Sequence, residues 1–284
     1  MLTTGDIPYF VLTVLCAVSF ILNGTFLIVI CKNWTHSKRR RITYYVTSLA
    51  ISDFLVGANG FCQCIIILAT GKITSRLSSV FWIIESMAVL TSLLAVCLMA
   101  IERLLCTKKP LTWNRILSLK RILRIMVGNW VLALPPVILL HFYTLKMTII
   151  LSVLLCIPIF VTAFVYINLY VKISKSSDVH DGTQQSSSIG ERQKKLTQQK
   201  VANLVLILTL VLVITIAPTL LAMVSRESCI LLNCKFIGTM TTIVTYSRIL
   251  AILNFIVNPI LYAWRINLYR QAFWKMLGSG RNEN

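Results

Sequence analysis

Asp53, Glu85, Ser92, Glu102, Arg103, Arg248, Asn254 and Asn258 are polar or charged residues set inside otherwise apolar runs. Such groups are costly in an apolar surrounding, so each is a candidate for function. On a helix, residues 85, 92, 96 and 103 fall on one face, because their separations are multiples near 3.5. A rise of 1.5 Å per residue puts Glu85 roughly 27 Å from Arg103. That face runs from an acidic site at one end to a charged pair at the other. Asn254 and Asn258, four apart, share a face of a second helix. The chemistry on offer is ion pairing and hydrogen bonding. His36, His141 and His180 are scattered, with no metal-ligand spacing and no nucleophile–base arrangement, so the chain reads as a non-enzyme.

The elements that must position these residues are membrane helices. The chain of 284 residues is 57% hydrophobic and 13% charged, against about a quarter charged in a soluble domain. About 20 apolar residues span a bilayer as a helix. Seven such spans are expected, at about 8–32, 42–69, 77–106, 122–141, 147–172, 200–224 and 236–263. The fourth is the weakest, with Pro135 and Pro136 near its end. The first carries no basic residue before it and is too long for a cleaved signal peptide. The fold class expected is therefore all-α: a seven-helix bundle over 1–263, an amphipathic helix over 264–277 lying on the inner leaflet, and a short tail over 278–284.

The net charge of +19 does not indicate nucleic acid. With the N-terminus outside, most of the 28 Lys and Arg fall in the inner segments, including Lys38–Arg41, Arg103–Arg124 and Lys172–Lys200. This is a positive-inside pattern. It implies a multi-pass membrane protein with a cytoplasmic C-terminus, and it attracts anionic inner-leaflet lipid. No internal repeat is evident, and only Asp53, Glu85 and Arg248 lie well inside the bilayer, which weighs against a transporter.

One ordered set of residues spans nearly the whole chain: Asn23, Leu49-Ala50-Ile51-Ser52-Asp53, Glu102-Arg103-Leu104, Trp130, Pro158 with Tyr166, Pro218, and Asn258-Pro259-Ile260-Leu261-Tyr262. It resembles the rhodopsin-like (class A) G-protein-coupled receptors. The resemblance implies a cell-surface receptor that binds a small extracellular ligand or a short peptide and activates a heterotrimeric G protein. The alternative is a divergent receptor-like protein acting in trafficking or scaffolding without agonist-driven signalling.

The same resemblance assigns roles. Asp53, Ser92, Asn254 and Asn258 match a buried sodium pocket, whose alternative is a hydrogen-bonded polar core with no ion. Glu102, Arg103, Tyr166, Pro218, Asn258, Pro259 and Tyr262 match the activation switch, and Pro110 and Leu111 match a G-protein contact. Glu85 and Arg248 face each other in the family fold, either to bind ligand or to pair with one another. Beyond a possible allosteric sodium ion, no cofactor is implied.

Departures from the family pattern carry information too. Leu104 replaces a tyrosine, Ile216 replaces the tryptophan two before Pro218, and Gln198 stands where many relatives place an acid that locks Arg103. A weaker lock implies higher basal activity. Ile252 replaces the lysine that an opsin needs. Ser78 replaces the usual cysteine at the top of the third span, so the common second-loop disulfide cannot form. Cys229 and Cys234 lie in an expected outside loop, where the medium is oxidising and a four-residue gap can close, so a bridge between them is expected. Together these features resemble the melanocortin, cannabinoid, lysophospholipid and adenosine branch, melanocortin most, although Pro158 is retained.

Overall fold

The structure, a computed structural model, describes residues 7–142, 155–165, 167–168, 189–266, 269–271 and 274. Its elements are α1 (Ile7–Lys32), α2 (Trp34–Ser37), α3 (Arg41–Thr70), α4 (Ser75–Lys108), α5 (Pro110–Ile116), α6 (Leu119–Phe142), α7 (Leu155–Val165), α8 (Ile189–Leu231) and α9 (Ile237–Arg265). Among the described residues there is no strand. Stretches of α1, α3, α4, α6, α8 and α9 are long and apolar enough to cross a membrane, and α7 is a shorter apolar helix. Much of the expected fifth span, and the loop before it, lies outside the described residues.

The bundle is organised about α3 and α4. Helix α3 packs on α1, α4, α6 and α9, while α4 also meets α6 and α8, and α8 lies along α9. The interior is mainly apolar, but the exterior is apolar too. Leu132, Phe160, Phe164 and Leu221 are each at least 67% exposed, while the polar Asp53, Asn23 and Thr91 are 0% exposed. A large apolar exterior, with polar groups set within the core, suits lipid as the surrounding solvent.

Close packing of α1 on α3 depends on small residues. A Cβ added at Gly57 would lie 2.7 Å from the backbone nitrogen of Phe20, so only glycine lets the two backbones approach. Helix α3 ends at Gly71, whose φ of 71° places it in the left-handed region, and its N–H donates to the Ile67 carbonyl.

Helix α6 runs through Pro135 and Pro136 to Phe142. One helix bound differs from the sequence reading. Helix α8 continues unbroken to Leu231, so Cys229 belongs to a helix and not to a loop. The Cys229–Cys234 bridge expected from the sequence is not formed: both thiols are free. Asn233, with φ 52°, turns the chain so that the Cys234 N–H donates to the Cys229 carbonyl at 2.9 Å.

Candidate functional site

Three polar clusters lie along the bundle, and helix α4 contributes to each. The middle one is built on Asp53 of α3, which is completely buried. Ser92 of α4 donates from Oγ to Asp53 Oδ1 at 3.4 Å, and Asn258 of α9 donates from Nδ2 to Asp53 Oδ2 at 2.8 Å. Asn254, one turn earlier on α9, is 1% exposed, and its buried Oδ1 accepts no hydrogen bond. A carboxylate, a hydroxyl and an unengaged amide oxygen form a hard-oxygen donor set of the kind that suits a small cation.

The proline in α9 explains a further contact. Pro259 has no N–H, so the carbonyl of Phe255 loses its helical donor. Asn23 of α1 supplies the replacement, donating from Nδ2 to Phe255 O at 2.9 Å. The chain thereby satisfies a buried carbonyl and fastens α1 to α9 in one contact. Pro218 lies inside α8, with Ile216 buried in the core two residues before it. Thr219 donates to the Ser247 carbonyl of α9 at 2.8 Å, which ties the two helices beside that proline.

The inner cluster is centred on Glu102, whose side chain is 2% exposed. Arg103 approaches its Oε2 at 3.6 Å, as the adjacent residues suggest, but Arg41 of α3 approaches Oε1 at 3.4 Å. Arg41 also donates to Cys106 Sγ at 3.5 Å. Near this end Tyr262 is fully buried, its ring 5.4 Å from that of Phe26. The Tyr269 ring lies 5.1 Å from Phe26 and its hydroxyl donates to Thr43 Oγ1 at 3.0 Å. Ile266 and Tyr269 are buried while Arg270 is exposed, so the segment after α9 turns its apolar side toward the bundle. Tyr166, residues 267, 268, 272, 273 and 275–277 of that amphipathic segment, and the side chains of Pro110, Leu111 and Gln198 lie outside the described residues. The backbone of Pro110 and Leu111 opens α5.

The outer cluster joins α3, α4 and α9. Arg248 NH2 lies 3.0 Å and 2.9 Å from the two oxygens of Glu85 and donates at 3.1 Å to Gln63 Oε1. Both charged side chains keep about a quarter of their surface open, at 28% and 27%. The pair is thus formed, with each side chain partly exposed. Gln63 was not singled out from the sequence, because an uncharged polar residue near a span end carries little signal.

Such an arrangement, with a polar chain down the interior of an apolar bundle and a charged pair at its inner end, invites comparison with known families. The model of the 7 transmembrane receptor (rhodopsin family) matches residues 22–149 and 140–262. The chain belongs to this family. No curated protein matches it. Membership makes the chain an all-α, multi-pass membrane protein of receptor type with a seven-helix bundle, and the short α7 falls where a further span is required.

Proposed function

We propose that this rhodopsin-family chain is a cell-surface receptor that binds a small extracellular ligand or short peptide and activates a heterotrimeric G protein, with its N-terminus outside and C-terminus in the cytoplasm. The observation that carries the reading is the buried Glu102 with Arg103 beside it at the inner end of α4. Signalling in this reading requires Arg103 to leave Glu102 and face the cytoplasm, where Tyr166, Tyr262, Pro110 and Leu111 complete the contact surface. Pro218, Asn258 and Pro259 are the points at which α8 and α9 change shape. Ser78, in place of the cysteine at the top of the third span, removes the common second-loop disulfide and favours a relative of the melanocortin, cannabinoid, lysophospholipid and adenosine branch.

Ligand enters at Glu85 and Arg248. The open quarter of each side chain supports this, since a solute can reach both charges. Sodium would be held by Asp53, Ser92, Asn254 and Asn258, with Asp53 supplying the compensating charge and the Asn254 oxygen completing the set. When bound, the ion neutralises a carboxylate that is otherwise surrounded by low dielectric.

A screen of cationic, anionic and zwitterionic ligands with a promiscuous G-protein readout tests the reading. Wild type is expected to respond to at least one class, and Arg248→Gln is expected to lose that response by about tenfold or more while still reaching the surface. An unchanged response in Arg248→Gln and in Glu85→Gln would remove the ligand site from this cluster.

A further inference from the structure

We propose that Arg41 is a positioning residue that keeps Glu102 paired when Arg103 leaves it; the proposal rests on the reading of Arg103 as the group that changes partner. Glu102 is deeply buried, and a buried acid stripped of its only cation is a strongly unfavourable state. An arginine leaving it alone would face that penalty as a barrier to activation. In this chain the acid is held from two helices. Arg103 addresses Oε2 and Arg41 addresses Oε1, at 3.6 Å and 3.4 Å, so the two guanidinium groups engage opposite oxygens. One can depart without displacing the other.

Three details favour Arg41 as the one that stays. It belongs to α3, whereas Glu102 and Arg103 are neighbours on α4, so a motion of the Arg103 side chain leaves its anchor in place. Its NH1 also donates to Cys106 Sγ, one helical turn after Glu102. Finally, Arg41 is the first residue of α3, where the helix dipole disfavours a positive charge, and no acid lies in that first turn to offset it. Glu102 supplies the missing negative charge from the neighbouring helix. The resulting bond between α3 and α4 depends on the acid and not on Arg103.

A cycle of melting temperatures on the full-length receptor in lipid nanodiscs tests this without ligand or G protein. Arg41→Gln and Arg103→Gln should each lower the melting temperature by a few degrees, because one cation remains in each. The double variant should fall roughly 5 °C or more beyond the sum of the two. Adding Glu102→Gln to the double variant should remove that excess, since no buried acid is then left uncompensated. Additive losses would overturn the proposal.

The second readout is GTP exchange per surface receptor. Arg41→Gln should lower it about tenfold, because each release of Arg103 now exposes a bare acid. Arg41→Lys should recover most of the loss, since a single N–H contact is needed and not a fork. Exchange equal to wild type in Arg41→Gln would overturn the takeover. If wild type gives no exchange at all, the receptor reading fails, while the melting cycle still decides whether Arg41 holds the acid.

Discussion

The inner and outer charged clusters of this bundle are built from the same residue types and differ in burial. Glu102 and Glu85 both lie on α4, and both face arginine. Glu102 is sealed to 2% and shared between Arg41 and Arg103, while Glu85 keeps 27% of its side chain open and meets Arg248 through both oxygens. A sealed acid with two cations is arranged so that a cation can be exchanged without baring the charge. An open acid in a bidentate pair is arranged so that a solute can compete for it. Burial, more than residue identity, therefore separates the proposed switch from the proposed ligand site. The fully buried Asp53 marks a third polar cluster on the same bundle.

Substitutions in each cluster test whether burial is what sets them apart. The largest effect is expected at the centre. Asp53→Ala strands Asn258 Nδ2 and Ser92 Oγ, which donate to its two oxygens, and should cost about 3 kcal/mol together with any rise in melting temperature caused by sodium. Melting in sodium chloride against choline chloride reads both; a sodium response that survives in Asp53→Ala would remove the ion from this cluster.

Next comes the outer pair. Arg248→Gln leaves Glu85 unpaired, but its open quarter lets water repay part of the loss, so about 1–3 kcal/mol is expected. Glu85→Gln combined with Arg248→Gln should return surface expression to near wild type, and a failure to do so would mean that the pair is not what holds this end together.

Asn23→Ala should cost about 1–2 kcal/mol, because the Phe255 carbonyl then has neither a helical donor nor a side-chain donor. If denaturation curves show no change, some other group satisfies that carbonyl. The smallest effect is expected at the outer rim, where Arg226, 37% exposed, pairs at 2.6 Å with Glu227, 7% exposed. Glu227→Gln removes the buried charge and leaves a solvated arginine, so it should change stability by less than about 1 kcal/mol, and a larger loss would show that exposure does not rank these pairs.

The parts of the fold legible in the sequence were those where a residue type stands out against its neighbours. Asp53 is conspicuous in an apolar run, and helical spacing places Ser92 on the same face of α4 as Glu85 and Arg103. The pairing of Glu85 with Arg248 followed only from placing both on a family frame. Arg41 was hidden for the opposite reason. It closes a run of basic residues from Lys38, and such a run reads as a solvated cytoplasmic face. Nothing in the run marks its last member as the one that turns inward. The Asn23 contact could have been found, since Pro259 announces an unsatisfied carbonyl four residues earlier, but the partner helix is not local. Cys229 was misplaced because Arg226-Glu227-Ser228 resembles the polar start of a loop, whereas the helix carries these residues past its apolar portion.

Signalling by this receptor depends on Arg103 in the proposed mechanism. The most direct measurement is ligand-independent GTP exchange on a panel of G proteins by wild type and by Arg103→Ala at matched surface density. With Gln198 in place of a locking acid, wild type should exchange above mock-transfected membranes and Arg103→Ala should fall to the mock level. Exchange at the mock level in wild type, or equal exchange in the two, would contradict it.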